Sequence, residues 1–287
     1  MLLIMKEEII NGIRYRLNGG TLTAEVIKKN EGCEGEIIIP KTVVFNELTY
    51  RVTSIGEDAF EDCDGLTSIV IPEGVKSIGA NAFRGTSLAA VVIPDSMTSI
   101  GERAFAGCFL TSVVIPDSVT SIGEGAFEYC GVLTSIVIPE GVKSIGANAF
   151  AGTSLASVII PDSVTRIGER AFEDCCDLAS VVIPDSVQSI GKYAFHRCTS
   201  LKAISIPNSV MIVEEGAFYC CKSLKIIAIP SNAIIVERGA FLDCDSLLVI
   251  RYGGTVEQCK RRYRYWDDSS FHNKTVHCID DDVTIRW

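Results

Sequence analysis

The sequence contains little of what metal sites and acid–base catalysis use. It has three histidines, His196, His272 and His277, among 287 residues, and it has no CxxC pair. Zinc sites use closely spaced Cys and His residues, and that spacing is missing here. No nucleophile with a base, phosphate-binding loop or pair of catalytic carboxylates can be identified. The sequence therefore predicts a protein that is not an enzyme and binds no metal or cofactor.

Positive charge and long apolar runs are also scarce. The chain carries 26 basic and 36 acidic residues, a net charge of −10. Because phosphate binding needs a basic face, this charge disfavours duplex nucleic acid, and we expect no nucleic-acid partner. The opening MLLIMKEEII has five apolar residues before Lys6, too few for a signal peptide or a membrane span. The residues given predict neither export nor membrane insertion. A leader upstream of Met1 would change the prediction about export.

Proline is uncommon, but its placement is regular. All nine prolines follow isoleucine, at positions 40, 72, 94, 116, 139, 161, 184, 207 and 230. An Ala-Phe pair recurs in step from Phe60 to Phe241, always eleven residues after Pro from Pro72 onward. The period of 22 or 23 residues varies only between Phe and the next Leu, which marks that segment as a surface loop. Such a period is typical of a leucine-rich repeat solenoid.

The repeat reads IPxSVxxIGxxAFxxC, as in Pro116 to Cys130, and it resembles the BspA-like leucine-rich repeat family of bacteria and protists. The resemblance covers residues 37–250, and the segments Gly12 to Val26 and Tyr252 to Cys278 look like the family's flanking segments. The family is associated with binding at the cell surface and outside the cell. The resemblance thus implies a secreted or surface-exposed binding protein, although the residues given leave the location unknown.

The predicted fold class is a leucine-rich repeat solenoid, a β-rich right-handed superhelix with one short parallel strand per coil and little helix. We expect one continuous domain, with an N-terminal β cap at 1–39, about nine coils at 40–250 and a C-terminal cap at 251–287. Alternating apolar residues around Asn18 predict a hairpin in the first cap, and an insertion at 45–50 predicts another. Thr255 with Gln258 forms a capping box for a helix to about residue 266, and strands are expected at 275–279 and 283–287.

Within each coil, successive side chains of the strand are expected to point alternately into the core and out to solvent. Leu88, Val91 and Ile93 are expected to point inward and Val92 outward, and Pro ends the strand because it has no N–H to donate. The repeat Phe residues are predicted to form a buried aromatic stack, with Phe127 near its middle.

Seven of the twelve cysteines occupy one repeat position, three residues after Phe: Cys63, Cys108, Cys130, Cys175, Cys198, Cys221 and Cys244. Thr86 and Thr153 take that position in the other two coils, which indicates a small, mostly apolar inward side chain. Side chains of stacked coils point in parallel, which opposes disulfides between them. We therefore predict buried free thiols. An export signal upstream would make a Cys259–Cys278 disulfide in the cap plausible.

The outward strand position is the main candidate binding site. We call its first six residues the apolar column: Val70, Val92, Val114, Val137, Ile159 and Val182. A row of β-branched residues facing solvent is typical of a surface that a partner covers. The alternative is that the row only stabilises the sheet through cross-strand packing.

An acidic turn ladder runs beside it, just after the prolines: Glu73, Asp95, Asp117, Glu140, Asp162 and Asp185. Asp-Ser is a favoured turn pair, so a solvated row of turns is expected. The alternative is a cation site, but calcium needs six or more converging oxygens and a linear ladder supplies few. Two further clusters are expected to be solvated, namely Lys260, Arg261, Arg262 and Arg264 on the cap helix and Asp280 to Asp282 in a turn. The alternative for the three acids is weak metal binding together with His277 and Cys278, but no ligand spacing supports it.

Two functions remain open on these grounds. The first is a non-enzymatic binding module that presents its sheet face to a protein or glycan. The second is a self-associating scaffold, in which the apolar column pairs two copies as a homodimer. An enzyme is a third class, with little in the sequence to support it.

Overall fold

The structure is a computed structural model that describes residues 5–28, 33–232, 235–262, 271 and 274–284. Within that part of the chain it is a β-solenoid with one short helix, which confirms the predicted fold class. By its internal contacts the chain divides into two compact units, Met1–Gly141 and Val142–Trp287, which are described in turn.

The first unit begins with a group of antiparallel strands. In the coils that follow, each coil contributes two strands. Its strands are β1 (Met5–Ile10), β2 (Ile13–Asn18), β3 (Thr23–Val26), β4 (Glu34–Ile38), β5 (Thr42–Phe45), β6 (Leu48–Ile55), β7 (Gly65–Val70), β8 (Ser77–Ile78), β9 (Ala90–Val92), β10 (Ser99–Ile100), β11 (Ser112–Val114), β12 (Ser121–Ile122) and β13 (Ser135–Val137).

Both predicted hairpins are present. Strands β2 and β3 pair antiparallel, with Tyr15 opposite Val26, and β1 adds a further antiparallel strand outside β2. Strands β5 and β6 pair around Asn46 and Glu47, which both have positive φ, as a tight hairpin turn requires. Strand β3 then pairs parallel with β6, so the cap hairpin covers the first coil.

Each coil contributes two strands where the sequence predicted one. The predicted strand, such as β9, ends at Ile-Pro, and a second strand of two residues, such as β10, follows the next turn. Ile100 of β10 is 2 % exposed and pairs with Ile78 and Ile122 in the neighbouring coils. A strand of two residues is too short to show the alternation of apolar and polar side chains that identifies a strand in a sequence.

A third backbone ladder joins the coils at the repeat Phe. The residues two before and two after each Phe have positive φ, as at Arg103 (φ 50) and Gly107 (φ 71) around Phe105. This alternation directs the N–H groups of Arg103, Phe105 and Gly107 along the stack, where they donate to the next coil's carbonyls at 2.7–2.8 Å. The turn region is thereby hydrogen-bonded without a helix.

The buried aromatic stack is present in the first unit. The ring centroids of Phe60, Phe83, Phe105 and Phe127 lie 5.2–5.4 Å apart, with nearly parallel planes. All four side chains are almost fully buried. Leu88 and Ile93 are buried and Val92 is exposed, as predicted, whereas Val91 is only half-buried.

The second unit repeats the same coil. Its elements are β14 (Ser144–Ile145), β15 (Ser157–Ile159), β16 (Arg166–Ile167), β17 (Ser180–Val182), β18 (Ser189–Ile190), β19 (Ala203–Ser205), β20 (Ile212–Val213), β21 (Ile226–Ile229), β22 (Ile235–Val236), β23 (Val249–Tyr252), α1 (Val256–Arg262), β24 (Thr275–His277) and β25 (Asp282–Thr284). Its Phe rings stack at 5.1–5.4 Å from Phe150 to Phe241.

The C-terminal cap closes this unit. Thr255 and Gln258 form the predicted capping box, since each backbone N–H donates to the other side chain. Strand β24 pairs parallel with β23 and antiparallel with β25, and Phe271 packs on Phe241 at 5.5 Å. The described helix ends at Arg262, and its predicted extension to residue 266 lies outside the described residues, as do residues 285–287 of the last expected strand.

Cys63 contradicts the predicted free thiol, because it forms a disulfide with Cys33 across a Cα–Cα distance of 5.4 Å. The prediction was wrong here because Cys63 lies in the first coil. Its neighbour on that side is the N-terminal segment, where Glu34 of β4 pairs with Gly65 of β7. The argument against disulfides between stacked coils does not apply to a cysteine outside the repeat.

The other six repeat cysteines are free and buried, as predicted. Each donates its thiol to the carbonyl of the preceding coil's Phe, as Cys130 Sγ does to Phe105 O at 3.1 Å. The Thr86 hydroxyl instead donates to Phe83 O of its own coil at 2.9 Å. The position therefore requires a small hydrogen-bond donor, which explains why it accepts Cys or Thr.

Replacing Gly101 with alanine is expected to lower the free energy of unfolding by about 1 to 3 kcal/mol, through overpacking. A Cβ there would lie 2.6 Å from the carbonyl carbon of Gly79 in the preceding coil. The φ of Gly101 is not positive, so close approach to Gly79 is the reason for glycine in this coil. Glu214 and Glu237 take the equivalent position in the last two coils, which agrees with a position that needs no positive φ. Denaturant unfolding measures the effect.

Gly131→Ala is the matched control, because no heavy atom lies within 4 Å of the Cβ that it would add. Its unfolding midpoint should stay close to that of the parent chain. Equal destabilisation by both substitutions would mean that coil spacing does not limit the residue at position 101.

Candidate functional site

The apolar column faces solvent on the strand side of each unit. Strand alternation places it there, because Val113 of β11 points inward and is 3 % exposed while Val114 points outward and is 70 % exposed. In the first unit Val70 lies beside Val92, and Val114 lies beside Val137. All six column residues are exposed, from 38 % at Val70 to 74 % at Ile159.

The column changes character in the second unit. Ile159 and Val182 are adjacent, but the next outward positions hold Ser205, Ala228 and Arg251. Each strand has a second outward position, two residues before the column position. There the side chains change from small to large and apolar, from Ser180 and Ala203 to Ile226 and Val249. The apolar side chains therefore shift along the strand, which leaves small side chains in their former place.

A recess of about 520 Å³ lies where this change occurs. Val182, Ser205, Asn208, Ala228 and Arg251 line it together with the adjoining strand ends. The small side chains of Ser205 and Ala228 create its depth, and the exposed guanidinium of Arg251 adds a positive charge. Strands β17 and β19 also belong to separate hydrogen-bonded sheets, so the ladder is interrupted at the same place.

The first unit has a comparable feature of about 370 Å³. It lies between β9 and β11, which also belong to separate hydrogen-bonded sheets, and its lining includes Val92, Asp95, Ser112 and Val114. Sequence reasoning missed both recesses. The break at Ser205 and Ala228 was a visible signal for the second-unit recess, whereas the ladder interruptions depend on small backbone displacements that leave no mark in the residue pattern.

The acidic turn ladder is exposed along its whole length. One of its carboxylates bonds to the next coil, since Glu73 Oε1 accepts the N–H of Asp95 at 3.2 Å. Three of the serines that follow the ladder residues join neighbouring coils. The hydroxyls of Ser96, Ser163 and Ser186 each donate to a valine carbonyl of the preceding coil, at 2.6–2.8 Å. Across the described ranges no three His, Cys, Asp or Glu residues converge as a metal site would require.

The C-terminal charges are engaged locally. Asp280 Oδ1 accepts the N–H of Val256 at the start of α1, and His277 Nδ1 lies 2.9 Å from Asp282 Oδ1. Arg261 pairs with Glu257 one helical turn away. The side chain of Arg262 and the whole of Arg264 lie outside the described residues.

One side-chain cluster of the second unit was also missed. His196 Nδ1 lies 2.7 Å from Glu173 Oε1, and the imidazole stacks on the ring of Tyr219 with a centroid separation of 4.9 Å. All three residues follow a repeat Phe directly in successive coils, so the period itself predicts their contact. The cluster joins neighbouring coils.

The comparisons with known proteins agree with this architecture. Residues 53–179 and 165–263 match the family model of the BspA type leucine-rich repeat region, which occurs in six copies. A leucine-rich repeat protein from Bacteroides ovatus is 27% identical with a TM-score of 0.75, over 95% of this chain and 76% of that one. The T. pallidum leucine-rich repeat protein is 28% identical with a TM-score of 0.60, over 68% and 91%.

The pneumococcal vaccine antigen PcpA shares the fold at 19% identity, with a TM-score of 0.59 over 89% of this chain and 83% of that one. No curated protein shows a significant match. Among the helical residues that the structure describes, none belong to a helix long and apolar enough to cross a membrane.

Proposed function

The chain belongs to the BspA-type leucine-rich repeat family, and on that premise we propose that it is a non-enzymatic binding protein whose apolar column contacts a protein partner. The observation that carries the proposal is the exposure of Val92 and Val114, at 69 % and 70 %. Exposed apolar side chains that recur at one position of successive strands are typical of a surface that a partner covers.

Cross-strand packing does not account for the column equally well. Threonine is β-branched, favours strands as valine does and carries a hydroxyl that suits a solvated face. A column chosen only for sheet stability would therefore be expected to contain threonine. All six positions instead hold valine or isoleucine, which favours burial by a partner.

A protein fits this face better than a glycan. Sugars are commonly held by stacking on aromatic rings, and the apolar column contains only aliphatic residues. Protein interfaces combine an apolar centre with a charged rim. In the first unit the centre is Val92, Val114 and Val137, and the acidic turn ladder supplies a negative rim. The complementary partner has an apolar patch bordered by Lys and Arg.

The proposed location is the cell surface or the extracellular space. Disulfides persist mainly outside the reducing cytosol, and the Cys33–Cys63 disulfide fits such a compartment. The family resemblance points to the same location.

Replacing Val92, Val114 and Val137 together with serine is expected to abolish capture of the partner while leaving the fold intact. Their exposed side chains contribute little to the core, whereas their removal takes away the apolar centre of the interface. Quantitative pull-down from cell-surface extracts, with melting temperature measured in parallel, provides the readout.

The matched control is a second triple serine variant at Phe109, Tyr129 and Val132, which are also exposed but lie on the loop side of the coils. The control should capture the same proteins as the parent chain. Unchanged capture by the column variant, or equal loss in both variants, would show that the binding surface is wrongly assigned.

The alternative is a scaffold in which the apolar column pairs two copies of the chain. Analytical ultracentrifugation separates the two functions. A monomer at high concentration excludes the scaffold, whereas a dimer that dissociates in the column variant would replace the proposed function.

A further inference from the structure

The C-terminal cap brings two cysteines together from separate segments. Cys259 lies on the inner side of α1 and is fully buried, and Cys278 directly follows β24 and is half-buried. Two hydrogen bonds fix the segments against each other: Ile279 N donates to Gly254 O at 3.1 Å, and Val256 N donates to Asp280 Oδ1 at 2.8 Å. The start of α1 and the residues after β24 are therefore held side by side.

Both cysteines are free, and each thiol lies close enough to the other to affect its pKa. Burial raises the pKa of the Cys259 thiol to about 12, and burial is also the main cause of the raised pKa of Cys278. Both thiols are therefore mostly protonated at neutral pH, and exchange proceeds through the small thiolate fraction of the more exposed Cys278. Their importance lies in their proximity.

We propose that Cys259 and Cys278 form a disulfide that fastens the C-terminal cap. It would parallel Cys33–Cys63, which fastens the N-terminal segment to the first coil. Each of these pairs includes a cysteine from a segment outside the repeat. The side chains of such a pair are not held parallel, as those of stacked coils are, so the geometric argument against a disulfide does not apply to them. A pair of this kind matches the cell-surface location proposed above.

The repeat thiols show why proximity alone is insufficient. Cys244 is also close enough to affect the pKa of Cys221, but both thiols are buried and each donates to a Phe carbonyl of the preceding coil. No exchange reagent reaches either sulfur without opening a coil. Cys278 differs because part of its side chain is open to solvent.

The Cys259–Cys278 disulfide forms by two successive thiol–disulfide exchange steps with a small disulfide such as oxidised glutathione. The Cys278 thiolate attacks one glutathione sulfur, which forms a mixed disulfide and releases one glutathione thiolate. The Cys259 thiol then loses its proton, attacks Cys278 Sγ and releases the second glutathione thiolate. The cysteine pair loses two protons and two electrons, and oxidised glutathione gains the two electrons.

Peptide mapping of the full chain tests the proposal directly. The folded protein is incubated with oxidised glutathione, all remaining thiols are alkylated in denaturant, and the chain is digested with trypsin without reduction. Cleavage is expected to release the peptide 252–260 joined to the peptide 275–286. Cys221 and Cys244 should both carry the alkyl group, as internal controls.

The Cys278→Ser variant supplies a second readout under the same oxidising conditions, in which Cys33–Cys63 stays intact. Its melting temperature is expected to fall by roughly 5 °C relative to the oxidised parent chain. Cys220→Ser, which changes a half-buried thiol elsewhere in the second unit, should have no such effect. Full alkylation of Cys259 and Cys278 in the oxidised parent chain would overturn the proposal.

Discussion

Replacing Phe105 with alanine is expected to lower the free energy of unfolding by about 3 to 5 kcal/mol. Its ring is fully buried and stacks between Phe83 and Phe127, at 5.2 and 5.4 Å. Alanine removes contacts with both neighbouring coils and leaves a cavity that the three backbone ladders prevent from closing. Guanidinium unfolding followed by circular dichroism measures the loss.

Phe109→Ala is the matched control, because Phe109 belongs to the same coil and its side chain is 58 % exposed. The change should stay within about 0.5 kcal/mol, as is usual for surface substitutions. If both alanine variants were equally stable, the buried aromatic stack would not be a principal source of stability in the first unit.

Removing the Cys33–Cys63 disulfide by replacing both cysteines with serine is expected to cost about 3 to 4 kcal/mol. The disulfide closes a loop with a sequence separation of 30 and joins the N-terminal segment to the first coil. Without it the unfolded chain gains conformational entropy, and β4 is held to β7 by its ladder alone. Melting temperature under oxidising conditions measures the change.

Cys176→Ser serves as the control, because that thiol is free and exposed. It should melt at the temperature of the parent chain. A double variant as stable as the parent, with β4 amides equally protected from exchange, would mean that the disulfide adds nothing to the N-terminal cap.

Much of the scaffold was predictable because each coil repeats the same physical requirements. The Ile-Pro and Ala-Phe markers fixed the period, and strand alternation placed Leu88 inside and Val92 outside, as the structure confirms. The hairpin around Asn18 and the capping box at Thr255 follow from local turn and cap chemistry, which acts within a few residues.

The remaining features depend on contacts between residues far apart in the chain. The positive φ at Arg103 is imposed by hydrogen bonds to the next coil, against the residue's own preference. Cys63 finds its partner in a segment outside the period, so no repeat argument reaches it.

The candidate site was only partly predictable for the same reason. The exposed apolar column follows from alternation, but the recess beside Val182 depends on how neighbouring strands separate. What the column binds stays a prediction.

The central physical claim is that each coil is held by its immediate neighbours, so that the column is carried on a scaffold assembled coil by coil. Hydrogen exchange on Phe105→Ala and Phe60→Ala tests this most directly in the first unit. The Phe105 variant should lose protection mainly at the amides of Phe83, Phe105 and their coils, while β2 and β3 stay protected. The Phe60 variant should lose protection near the N-terminal coil. Uniform loss of protection throughout the unit in both variants would contradict the claim and show a single all-or-none assembly.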